Sequence, residues 1–201
     1  MSRLYYVLLI LGLLAFVSCE EEEDTLTEGV NSSEFYNDAD GWTIEGDAEG
    51  CSSIDAAYSP FNGLDNSGYI YAEDDVTGGV WYFVAPGKYL GNKTSFLGGS
   101  ISLWLIQESA MDDQFYSKDV ILEGSNGSEL YYEFDSYPST NWTYYEISLD
   151  TTSVWLNQNE DTASMADFET VLNNLQKLWI RGEYQTGEDT GGLDKFQLRT
   201  E

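Results

Sequence analysis

Across 201 residues the chain carries 36 Asp and Glu against 8 Lys and Arg, a formal net charge of −28, and it has no histidine. That balance excludes a nucleic-acid binder, which needs cations to displace the counterions of a phosphate backbone. The missing imidazole excludes Ser-His-Asp triads, Cys-His pairs and histidine-held zinc or haem. With 42% hydrophobic residues, including 15 Tyr, 9 Phe and 6 Trp, the chain can still bury the core of one ordinary domain.

Arg3 precedes the apolar run Leu4–Val17, which has the length of a signal-peptide hydrophobic region and is short for a membrane-spanning helix. Residues 1–18 are therefore read as a signal segment outside the fold. The run ends in Phe16-Val17-Ser18-Cys19, which resembles the lipobox of bacterial lipoproteins. Cys19 is the expected lipidation site, with the membrane as a partner through that anchor. Glu20, Glu21, Glu22, Glu23 and Asp24 follow; five like charges repel one another and hold a solvated tether extended, assigned to residues 19–32. An acidic cluster directly behind such a cysteine resembles the surface-export signal of Bacteroidetes-type lipoproteins, which implies an outer-membrane, surface-exposed location. With Cys19 lipidated, Cys51 has no disulfide partner, and no basic neighbour activates it.

From residue 33 to 201 the pattern is that of one β-rich domain. Short β-branched and aromatic runs alternate with Gly, Asn, Asp and Ser clusters: Trp42–Ile44, Tyr69–Tyr71, Val80–Val84, Ile101–Ile106, Val120–Leu122, Leu130–Tyr132, Trp142–Leu149, Leu178–Ile180 and Phe196–Leu198. About nine strands spaced in this way predict an all-β sandwich. The clearest hairpin spans Lys118 to Phe134 around Gly124-Ser125-Asn126-Gly127. One stretch has another period: Ser164 can cap a short helix with Asp167 three residues on, and Met165, Phe168, Val171, Leu172 and Leu175 recur at helical spacing. Pro86 should end the strand before it, because it fixes φ and lacks a donor, and Gly91 eases the tight path that follows. Arg181 lies inside an apolar run, where a charge is tolerated only when paired.

Six blocks of this region, read in order, resemble the laminin B domain, also called laminin domain IV. They are Gly79 through Lys93 with its Trp81-Tyr82-Phe83 and Ala85-Pro86 steps, Phe96 through Leu103, Asp119 through Gly124, Asp167 through Leu175, Leu178 through Tyr184, and Leu193 through Leu198. Phe35 and Gly41 through Ala48 resemble the opening strand of such modules. The resemblance implies a jelly-roll β-sandwich, like carbohydrate-binding and galactose-binding modules, with one short helix. It departs from the family's usual setting, since no flanking disulfide-rich repeats accompany the domain. Related jelly rolls often hold one structural calcium between the first strand and the last, and the matching positions are Glu34, Asp38, Asp40 and Asp194. The composition suits a hard cation, since carboxylates and amides abound without competing nitrogen or sulfur ligands. The same four acids also fit a plain solvated surface.

Aromatic side chains are the second candidate site. Tyr131, Tyr132, Trp142, Tyr144 and Tyr145 lie on strands whose alternation sends about half of the side chains outward, where flat rings with a polar handle can stack on sugars or anchor a protein partner. Core filling and cross-strand pairing are the competing uses of such rings. For catalysis only a glycosidase-type carboxylate pair is available, and no block points to one. Four Asn-X-Ser/Thr triplets, at Asn31, Asn92, Asn126 and Asn141, are read as chance matches in a polar surface. The leading expectation is a non-catalytic, surface-tethered module for polysaccharide or extracellular matrix protein. An accessory envelope lipoprotein is the second reading, and a carboxylate-based hydrolase the third.

Overall fold

Alternation of buried and open positions along short strands builds two antiparallel sheets in a computed structural model that describes residues 29–46, 48, 53–74, 79–108 and 113–201. The signal segment, Cys19, most of the tether and Cys51 lie outside the described residues. In chain order the elements are β1 Val30–Ser33, β2 Thr43–Glu45, β3 Ile54–Asp55, β4 Ala57–Ser59, β5 Tyr69–Asp74, β6 Tyr82–Val84, β7 Ser100–Gln107, β8 Val120–Gly124, β9 Glu129–Tyr132, β10 Thr143–Ser148, β11 Leu156–Asn157, α1 Met165–Leu172, β12 Leu175–Arg181 and β13 Asp189–Arg199. The first sheet runs β10-β7-β13-β5-β4, with β1 also paired to β13, and the second runs β11-β9-β8-β12-β6-β2-β3. This is the all-β jelly-roll sandwich with one short helix that the sequence predicts.

All nine expected runs contribute strand residues, and four strands are additional: β1, β3, β4 and β11. The folded part therefore starts before residue 33. Val30, Asn31, Ser32 and Ser33 pair in register with Arg199, Leu198, Gln197 and Phe196, so the end of the expected tether is an edge strand. The hairpin at Lys118–Phe134 forms as expected, with Val120 opposite Tyr132 and Leu122 opposite Leu130. Its turn closes through Gly124 and Ser128, and Gly127 takes the left-handed conformation at φ 79°. Ser164 and Asp167 form a reciprocal capping box at α1, with Phe168, Val171 and Leu172 buried. Two details differ from the periodic pattern. Met165 is exposed, and Leu175 belongs to β12, since the helix ends at Leu172 and a bond from Gly91 N–H draws Leu175 into a bridge.

The core between the sheets is aromatic. Trp42, Trp81, Tyr89, Phe83, Phe168, Phe196 and Tyr184 are all buried, with Ile70, Leu103, Leu105, Ile180 and Leu193 around them. Trp42 packs on Phe196 at 5.0 Å and on Tyr89 at 5.6 Å between ring centroids, while its indole N–H donates to Ser33 Oγ at 2.9 Å. That bond anchors β1 to the core. A β-carbon at Gly182 would fall on the Trp81 ring, so glycine at that position lets this buried indole approach the backbone closely. Arg181 is paired as the sequence demanded: it is fully buried and meets Asp119 at 3.3 Å.

Candidate functional site

Strand alternation decides which rings are available. On β7, Leu103 and Leu105 face the core, so Trp104 and Ile106 face out; on β5, Ile70 and Ala72 face in, so Tyr69 and Tyr71 face out. Directly opposed residues share a face. The register therefore lines up Tyr144, Trp104 and Asp194 across β10, β7 and β13, and Ile106, Gly192 and Tyr71 in the next row, with Tyr69 at the start of β5 just beyond its last pair with β13. Trp142, just before β10, reaches Tyr69 beside these rows.

Contacts between rings knit the two rows together. Tyr69 meets Trp142 edge to face at 5.3 Å and Tyr71 at 5.7 Å, and Trp104 meets Tyr144 at 5.1 Å. Gly192 makes room for this arrangement, since a β-carbon there would stand 2.8 Å from Ile106 and 3.0 Å from the Tyr69 ring. Tyr144 is 47% exposed, Trp104, Tyr71 and Trp142 are half-buried, and Tyr69 lies beneath its neighbours. The phenols end on carboxylates: Tyr69 Oη donates to Glu108 at 2.9 Å and Tyr144 Oη to Glu146 at 3.2 Å. Burial, reinforced by Glu108, pushes the Tyr69 phenol up to about 12.

Beside the rings lies the segment Phe61–Ser67. Asp194, fully buried at a bulge where β13 leaves β5 for β1, accepts from Leu64 N–H at 2.7 Å and from Ser67 Oγ at 3.4 Å. Gly63 must stay small there, because a β-carbon would meet Asp194 Oδ2 at 2.9 Å. Asn62 O accepts from Trp142 Nε1 at 3.3 Å, so the segment that Asp194 holds also orients a platform ring. Burial raises the Asp194 carboxyl to about 6, against the lowering effect of these hydrogen bonds and Lys195.

The five rings singled out from the sequence do not form one surface. Trp142 and Tyr144 belong to the platform. Tyr131 lies on the outer face of the other sheet, almost covered, with Lys118 4.5 Å over its ring. Tyr132 turns inward against Trp155 at 5.5 Å, and Tyr145 stacks on Phe134 at 3.8 Å with its hydroxyl on Ser136 O. Tyr69, Tyr71 and Trp104 were missed, although the Tyr-Ile-Tyr and Leu-Trp-Leu alternations carry the signal.

The four acids proposed for calcium are likewise not gathered into one shell. Asp40 pairs with Lys88 and accepts from Ser33 Oγ at 2.6 Å; Asp38 accepts from Asp40 N–H at 2.7 Å; Glu34 accepts from Gln197 at 2.8 Å. Asp194 serves the Leu64 segment. Among the described residues no group of three or more Cys, Asp or Glu stands ready to hold a metal ion.

Comparison with known proteins agrees with the fold. The family model for laminin B (domain IV) matches residues 82–200. The chain is 31% identical over 188 residues, 90% of its length, to laminin subunit gamma-1 of Danio rerio, of which it spans 11%. Among solved structures, the L4b domain of human laminin alpha-2 superimposes with a TM-score of 0.64 at 12% identity, covering 86% of this chain and 98% of that one. A family 11 carbohydrate-binding module of Clostridium thermocellum gives 0.52 at 16% identity, covering 86% and 96%. With the matched strands, helix and their order all present, the chain belongs to the laminin B (domain IV) family.

Proposed function

We propose that this protein is a non-catalytic module that binds extracellular polysaccharide through the ring-lined outer face of the first sheet, tethered to the outer membrane by lipid on Cys19. The observation that carries this reading is the grouping of Trp142, Tyr69, Tyr71, Trp104 and Tyr144 on one open sheet face. Such rings offer apolar faces for sugar rings and polar edges for their hydroxyls. The likeness to a carbohydrate-binding module supports the same use of the fold, although fold alone does not set function.

Glycan and matrix-protein arrays with the purified domain test the reading. Trp142→Ala and Tyr144→Ala should each cost about 1–3 kcal/mol of affinity where the ring is an anchor, with the melt nearly unchanged for the exposed Tyr144. Equal binding by wild type and both variants would remove the platform from the account, and binding only to matrix proteins would move the ligand to protein. The anchor is tested separately: Cys19→Ala should shift the protein from membrane to soluble fractions. As the four acids are engaged elsewhere, melts in excess chelator and in millimolar calcium should superimpose. A calcium-dependent rise of several degrees, lost in Asp194→Asn, would restore them as ligands.

A further inference from the structure

We infer that the platform, if it binds polysaccharide as proposed above, selects a glycan carrying free amino groups over a neutral or acidic one. The rings are bounded by carboxylates at both ends of β7. Glu146 lies opposite Ser102 near one end, and Glu108 follows the strand at the other, where Glu73 faces out from β5 opposite Thr190. From Ser102 to Glu108 is six residues of extended chain, roughly 20 Å at 3.3 Å per residue. A polymer lying along β7 would cross the rings and meet a carboxylate at each end, whereas a single sugar could reach only one.

At one end the exposed Tyr144 ring adjoins Glu146; at the other Glu108 accepts from the covered Tyr69, whose half-buried neighbours Tyr71 and Trp142 supply the accessible rings. An ammonium group is attracted to a ring face and to the adjoining carboxylate together. Of the cations on this face, Lys195 pairs with Asp65 at 2.9 Å, whereas Arg199 donates to the neutral Gln197 and its charge also acts on Tyr144, partly offsetting Glu146 at that end. Asp194 and Glu34 are turned to Leu64 and Gln197. The net charge of −28 adds a field that draws in polycations and repels polyuronates. Two ammonium contacts on one polymer reinforce each other, so affinity should rise steeply with chain length.

Binding of soluble, largely deacetylated chitosan, a neutral mixed-linkage glucan and polygalacturonate, measured by calorimetry at low and high salt, tests the inference. Chitosan oligomers should bind at least tenfold tighter than glucan at low salt, and polygalacturonate should not bind. The double variant E108Q/E146Q changes only two of the chain's many charges yet should lose most of the preference, and Trp142→Ala should weaken both ligands. Glucan bound as tightly as chitosan would overturn the amino-group selectivity while leaving the platform reading intact. Chitosan binding indifferent to E108Q/E146Q and to Trp142→Ala would also overturn it, as attraction to the overall charge alone. Binding of neither polymer would overturn both readings.

Discussion

Replacing Arg181 by methionine is expected to lower the melting temperature by roughly 6–20 °C. That range follows from about 3–5 kcal/mol for breaking one side of a buried ion pair and about 2–4 °C per kcal/mol in a domain of this size. Arg181 and Asp119 are 0% and 1% exposed at their side chains. The guanidinium also donates to Phe115 O at 2.8 Å and to Glu183 O at 2.5 Å, and it lies 4.4 Å over Tyr184, 4.6 Å over Phe115 and 5.6 Å over Tyr137. Three chain segments thus converge on one cation. Asp119 accepts from Phe134 N–H at 2.6 Å, yet its carboxyl is pushed up, because burial outweighs the arginine. Without Arg181 that carboxylate would be left in the core with no cation. The double change Arg181→Met with Asp119→Asn should recover part of the loss, since the amide oxygen can still take the Phe134 N–H. An unchanged melt for Arg181→Met alone would show that the pair does not hold these segments.

The second large effect concerns pH. Burial raises Asp189 and Asp194 to about 6, above the ordinary aspartate range, and the charge of Asp74, opposite Asp189 across β5 and β13, contributes further at Asp189. Between about pH 4 and 6 the folded chain holds protons that the unfolded chain has released. Stability from these groups is therefore complete below the unfolded value and is lost as pH rises through 6. With the side chains nine-tenths or more buried, the raised values at the two groups together correspond to about a few kcal/mol. Melts at constant ionic strength should be higher at pH 5 than at pH 8, the reverse of a protein stabilised by paired carboxylates. Relief of self-repulsion on acidification acts in the same direction, so the variants separate the causes. Asp189→Asn should raise the melt at pH 8 and flatten the profile, its amide oxygen still accepting from Tyr184 N–H. A melt that climbs from pH 5 to 8 would contradict this assignment.

Much of the fold is legible in the sequence because a buried strand must announce itself with a run of large apolar residues, as Ile101–Ile106 and Leu178–Ile180 do. The strands that escape notice lack that requirement. Val30-Asn31-Ser32-Ser33 is polar because it lies at an edge and is held by β13 and by the Trp42 bond to Ser33, while β3 and β11 have two residues each. For the site, residue type was informative and neighbourhood was not. Tyr144 and Tyr145 are adjacent and chemically identical, yet pairing with Trp104 and Leu103 sends one to the open face and the other to the core. Likewise Asp40 and Asp194 read as cation ligands until their partners, Lys88 and the Leu64 N–H, are known.

The pairing of Val30 with Arg199 places the first and last strands of the fold side by side, so the polypeptide enters and leaves at the same spot. A unit built this way can be spliced into a surface loop of a host protein without prising the host apart, because the gap it must bridge is no wider than one strand-to-strand spacing of about 4.8 Å. It would hang from that loop like a bead from a clasp, adding no length to the host. Circular permutation is favoured for the same reason: a short link from Thr200 to Gly29 would join ends already hydrogen-bonded at 2.8 Å, and new ends could be opened in the exposed turn residues Ser125–Gly127.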